Sequence, residues 1–314
     1  MSGPLARAAA LWERFWHAPE PPLNLAAARV VLALQALWIL LSRDIPALSA
    51  LPAAFWTAVP AGARWRYLLW EGHPRLESVL QAAALLALAG IVCGVWTRAC
   101  CLVAGVLLYH LAPLETLFFT VSPWAGGLTI PVLGLVALSA VPRAPRAEDG
   151  WALRLAQLFV CQAYLFSGWA KLRAAGFAWA SAHNIRAWLL LSNQDDQLAV
   201  FTGPGLWIAD HPLLCALMGA AALALDLGFV AALFWRRGRP LLVAVAAAFH
   251  LGILLTQNYA FLGTPLLLLF VDWDAWAPFQ RMRKRSTRLR QLPDSTSSRL
   301  SPSSLQRSPT CLTR

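Results

Sequence analysis

The chain has 314 residues, of which 59% are hydrophobic and only 13% charged, and its formal net charge is +11. Soluble domains carry about 25% charged residues, so this balance excludes an ordinary soluble globular domain, and the Ala/Leu-rich runs lack the alternating segments of an outer-membrane barrel. The positive charge lies in short segments between apolar runs and in a C-terminal tail, which is the distribution of a membrane protein and not of a nucleic-acid binder.

Residues 5–18 set Leu5, Leu11, Trp12, Phe15 and Trp16 among Arg7, Glu13 and Arg14. This pattern predicts a short amphipathic helix lying in the membrane interface, stopped by Pro19, Pro21 and Pro22. The first apolar run lacks the layout of a cleaved signal peptide and reads as a mature first helix. Apolar spans are expected near 24–42, 78–96, 100–119, 123–141, 151–172, 212–235, 240–257 and 259–273, each close to the length a bilayer core about 30 Å thick requires. With the N-terminus inside, 18 basic residues fall on the inner side and six on the outer, which favours an N-in, C-in arrangement. The expected class is an all-α, polytopic integral membrane bundle of about eight transmembrane helices, multi-pass in the cell membrane, with the lipid bilayer as its surroundings. Residues 1–23 form the interfacial segment, 24–275 the transmembrane domain and 276–314 a basic disordered tail.

Two expected outer segments are long. Residues 43–77 carry Trp56, Trp65, Tyr67 and Trp70, an interfacial aromatic set. Residues 173–211 carry Trp179, Trp188 and Trp207, and the stretch SAHNIRAWLLLS reads as an interfacial or re-entrant helix. Together they are placed to roof an outward-opening cavity. No internal repeat is evident, so the usual sequence pointer of an inverted-repeat transporter is missing.

Ionisable groups inside the spans carry the chemistry, because each costs about 2.5–3.5 kcal/mol at a helix centre. Asp226 and His250 lie at similar distances from the turn WRRGRP that joins their spans, so an antiparallel pair would level them and allow an Asp226–His250 hydrogen bond. Lys171 ends its span, where it either snorkels to the outer interface or sits desolvated as a base. Arg29, one turn into the first span, either snorkels inward or pairs within the bundle. His110 and Glu115 do not share the i, i+4 face a metal site would need, and Asp195 and Asp196 read as solvated loop residues. The six cysteines show no CxxC or Cys/His spacing and read as small buried hydrophobes. No metal is expected, and no GxGxxG, P-loop, HExxH or GxSxG motif occurs.

The segment LFVCQAYLFSGWAKL, followed by Trp179 and Ser181, resembles the central signature of the vitamin K-dependent gamma-carboxylase-like family, whose shared region is called horizontally transferred transmembrane helices. Gln162, Tyr164, Ser167, Gly168, Lys171, Leu172, Trp179 and Ser181 are the matching positions. LALDLGFVAALFW, with Asp226, and AAFHLGILL, with His250, resemble the next two helices, and Arg29 is similar to an arginine of the family's first helix. The likeness covers roughly residues 20–275. It implies that Lys171 is a base acting on reduced vitamin K or another quinone, with Asp226 and His250 as polar support or proton relay. It further implies that Tyr164, Gly168 and Trp179 contact the cofactor, and that the partner is a secreted peptide or protein. Gly127, in SPWAGGLTI, stands where the carboxylases have a histidine, and the large extracytosolic domain of the animal enzyme is not expected here. A non-catalytic accessory for maturation or export of a secreted peptide is the alternative, and a solute transporter the third.

Overall fold

The structure is a computed structural model and describes residues 3–52, 73–111, 127–142, 146–194 and 201–275. The expected aromatic set Trp56, Trp65, Tyr67 and Trp70, the acidic residues Glu115, Asp195 and Asp196, and the tail 276–314 lie outside the described residues. The chain divides into two compact units, Met1–Val271 and Asp272–Arg314. All the described helices belong to the first unit.

Among the described residues every regular element is helical. The elements are α1 (Pro4–His17), α2 (Pro22–Leu41), α3 (Ile45–Ser49), α4 (Pro74–Val92), α5 (Thr97–Leu111) and α6 (Thr129–Ser139). They continue as α7 (Gly150–Ala175), α8 (Ala182–Ser192), α9 (Thr202–Ala209), α10 (Pro212–Gly228), α11 (Ala231–Phe234) and α12 (Arg239–Gln257), with 3-10 turns at Gly176–Ala180 and Thr264–Phe270. Proline opens α2, α4 and α10 as their first residue. The missing N–H costs nothing there, and the fixed φ is already helical. Asn258 closes α12 in the left-handed conformation, φ 52°, a common C-terminal stop for a residue whose short amide tolerates it.

Among the described residues three helices are long and apolar enough to cross a membrane: α2, α4 and α12. The pair α9–α10 makes a fourth candidate if counted as one broken span, bent by 104°. The expected span at 212–235 is interrupted at Gly228, and the run at 259–273 contains a seven-residue 3-10 turn, Thr264–Phe270. The run has four consecutive leucines, but Gly263 and Pro265 open a 3-10 turn only about 14 Å long at a rise of about 2 Å per residue. α7 is long enough, at 26 residues, yet Arg154, Gln157, Gln162 and Lys171 break its apolar character.

α2 packs against α4 and α6, α5 lies between α4 and α6, and α7 joins α6 to α10. Small residues set the approach, as expected where packing and not water expulsion drives helix association. A Cβ at Gly105 of α5 would fall 2.6 Å from the Val136 side chain of α6. Buried polar side chains then tie non-helical backbone to helices. Arg29 donates to the carbonyls of Val141 at 2.7 Å and Pro142 at 2.9 Å, just past the C-terminus of α6. It therefore pairs within the bundle, neutralising the carbonyl end of a helix where a cation is favoured. Gln81 bonds the carbonyls of Leu40 and Arg43 at the C-terminal end of α2, and Gln157 bonds that of Leu269. These bonds help to satisfy carbonyls at helix ends and turns away from water.

Candidate functional site

Tyr164, Ser167, Gly168 and Lys171 stand at i, i+3, i+4 and i+7 on α7, so the helix presents them as one stripe. The stripe meets α10 and α12. Gly168 permits the contact with α10, because a Cβ there would lie 3.0 Å from the Asp226 Cβ and 2.9 Å from Leu227 Cδ2. Its position is at this helix contact, with its α-carbon turned to Asp226.

Asp226 Oδ2 accepts two hydrogen bonds, from Lys171 Nζ at 2.5 Å and from Ser167 Oγ at 3.1 Å. The Asp226 side chain is 5% exposed and that of Lys171 23%. The lysine does not snorkel outward. Helical side chains lean toward the N-terminus of their helix, and this lean carries Nζ down to the carboxylate. The other face of the ammonium lies 4.6 Å from the centre of the Trp179 ring, a cation–π distance. Trp179 is held by the turn Gly176–Ala180. Asn184 donates to its carbonyl at 2.6 Å, and the turn rests on Gly219 of α10, where a Cβ would fall 2.6 Å from the Ala180 carbonyl oxygen.

The expected Asp226–His250 bond is not made. His250 Nε2 instead meets Tyr164 OH at 2.5 Å, and its buried Nδ1 has no partner among the described residues. The two residues do come to one region, but the rotation of α10 turns Asp226 toward α7, and α12 turns His250 into a cluster with Tyr164 and Phe261. The tyrosine ring packs on Phe229 at 4.3 Å. The six expected site residues, Lys171, Asp226, His250, Tyr164, Gly168 and Trp179, therefore form two linked pairs and their immediate supports.

Two cavities adjoin the cluster. One, of about 480 Å³, is lined by Lys171, Trp179, Trp188, Phe249, Tyr259 and Phe261 among other residues. The second, of about 520 Å³, is lined by Gln162, Ser167 and Gly127, again with Tyr259 and Phe261 on its wall. Asp226 is thus bonded from a residue of each cavity. Gln35 was not singled out by its sequence context, yet its Nε2 bonds the carbonyls of Gly127 and Leu262 on the rim of the second cavity. Its position on α2 carries no local signal, because both partners are distant in the chain. His110, considered above with Glu115, bonds Glu77 at 3.0 and 3.1 Å across the α4–α5 hairpin. Among the described residues no group of three or more His, Cys, Asp or Glu is arranged to hold a metal ion.

No protein-family model matches the chain, no curated protein matches it, and no solved structure matches it.

Proposed function

We propose that this is a multi-pass membrane protein of the carboxylase-like kind, binding a lipophilic quinone-type cofactor in the cavity beside Lys171. The observation that carries the reading is the lysine's setting: an amine shared between a buried carboxylate and an aromatic face, on the wall of an apolar cavity. The cavity volume lies in the ordinary range for small-molecule sites, about 300–1,000 Å³. Its aromatic walls suit a flat ring, and Lys171 with Gln257 offers polar atoms for ring oxygens.

When bound, a quinol supplies reducing equivalents and acidic ring hydroxyls. The rest is done by this chain. Lys171 hands a proton to Asp226 Oδ2, across the 2.5 Å bond that already joins them. This leaves a neutral amine at the cavity wall, competent to take a proton. Ser167 steadies the same carboxylate oxygen, and Trp179 and Phe261 line the cavity wall beside the amine. Tyr164 and His250 form a second proton-bearing pair behind the wall.

The test is mass spectrometry of lipophilic molecules that co-purify in mild detergent, comparing wild type with Lys171→Ala and Trp179→Ala. A stoichiometric quinone that is lost from Trp179→Ala supports the proposal. No retained aromatic ligand in the wild type would refute it. An accessory role for the same fold rests on the completeness of the Lys171–Asp226 pair, which suits pure packing. It predicts that function survives Lys171→Met combined with Asp226→Leu. The broken pair α9–α10 favours transport, since broken helices mark many transporter sites. Substrate flux into vesicles would single out that reading.

A further inference from the structure

We infer that the chain carries a binding site for an anionic phospholipid headgroup, formed where the C-terminal part of α1 meets the turn between α11 and α12. α1 is joined to the bundle at this place. Phe15 packs on Phe234 with ring centres 5.4 Å apart. Glu20, just after α1, is buried, and its Oε1 accepts from Arg154 Nη2 and Arg236 Nη2, each at 2.7 Å. One carboxylate therefore serves two guanidinium groups, and the junction keeps an excess of positive charge. Two buried donors without an acceptor among the described residues accompany it: Arg154 Nε, and Trp16 Nε1 on α1.

The outer surface of the same junction is aromatic and basic. Trp12 is 63% exposed, Phe234 69% and Trp235 54%. The Arg236 side chain remains 56% exposed despite its bond to Glu20, and Arg237 beside it is exposed. The nearest exposed acid on α1, Glu13, is engaged by His17 at 3.4 Å. Gly238 lets the turn fold beneath the Trp235 ring, since a Cβ there would fall 2.3 Å from ring atoms, and so Trp235 and the two arginines are presented together.

Exposed indole and phenyl groups next to arginines match a phospholipid in two parts. The aromatics meet the acyl–headgroup boundary, and the guanidiniums meet the phosphate with several donors in a fixed fork. An anionic headgroup is selected over a zwitterionic one because the local charge excess is not cancelled by a choline or ethanolamine cation. The site is separate from the Lys171 cavity and does not depend on it.

The experiment places the purified protein in nanodiscs of phosphatidylcholine alone or with a fixed fraction of phosphatidylglycerol. It measures the thermal midpoint in each, and counts retained phosphatidylglycerol by native mass spectrometry. Phosphatidylglycerol is expected to raise the midpoint of the wild type. The double variant Arg236→Gln/Arg237→Gln loses that increment and retains roughly 25-fold less of the lipid, about fivefold for each arginine. The increment is read as a difference between lipids, so any general loss from breaking the Arg236–Glu20 bond cancels. Arg173→Gln/Arg186→Gln, away from the junction, keeps the increment. Inorganic phosphate added to phosphatidylcholine discs does not reproduce it. Equal midpoints for the wild type in both lipids, or an undiminished increment in the Arg236/Arg237 variant, would overturn the inference, as would full replacement of the lipid effect by phosphate.

Discussion

Removing Lys171 tests the centre of the site most directly. Asp226 is 5% exposed, and among the described residues its side-chain partners are Lys171 and Ser167. Lys171→Ala leaves a buried carboxylate with one neutral hydroxyl donor, and breaking a buried pair from one side costs about 3–5 kcal/mol. At about 2–4 °C per kcal/mol for a chain of this size, the thermal midpoint should fall by roughly 10 °C. Asp226→Asn should cost less, about 1–3 kcal/mol, because Lys171 borders a cavity and its ammonium can hydrate there. Lys171→Met/Asp226→Leu should recover most of the loss, since an apolar pair of similar volume often replaces a buried ion pair without cost. The assay is thermal unfolding in one detergent, with Lys171→Met and Asp226→Leu also measured singly so that the double-mutant cycle closes, and a coupling of at least about 3 kcal/mol expected. If the double variant is less stable than Lys171→Ala, the two side chains do not depend on each other and the ion-pair account fails.

Arg29→Lys should destabilise the chain by about 2–3 kcal/mol, since an ammonium lacks the fork that reaches the Val141 and Pro142 carbonyls together; hydrogen exchange should quicken at the C-terminal end of α6 and little elsewhere. Glu77→Ala removes the bidentate partner of His110, and a loss of about 2 kcal/mol in unfolding is expected, whereas unchanged unfolding would show that the α4–α5 hairpin holds without it. Asn258 joins a left-handed backbone to hydrogen bonds with Phe201 N–H and Asn193 Oδ1. Asn258→Gly keeps the backbone and loses the bonds, and Asn258→Ala loses both, so measured stability should fall in the order Asn, Gly, Ala.

Several features of this protein follow from local pattern. The scarcity of charge and the Pro-led apolar runs specify helices and where α2, α4, α10 and α12 begin. The stripe of Tyr164, Ser167, Gly168 and Lys171 is legible from helical spacing alone, as is the common depth of Asp226 and His250 on either side of one turn. Local pattern also misleads where length and composition resemble a span: the leucines of Thr264–Phe270 are apolar enough, but the backbone there turns too tightly to be a full helix.

Partner choice belongs to the tertiary structure. Equal depth made Asp226 and His250 candidates for each other, but depth leaves the rotation of each helix about its own axis undetermined. Packing against Gly168 turns Asp226 to Lys171, and the aromatic cluster turns His250 to Tyr164. The same holds for Arg29, whose acceptors lie more than a hundred residues away, and for Gln35, which meets two non-helical carbonyls from segments far apart in the chain. A periodic pattern reports which residues share a face, because that depends on one helix. Which face meets which neighbour depends on how several helices fill space together, and the side-chain volumes at the contacts decide it.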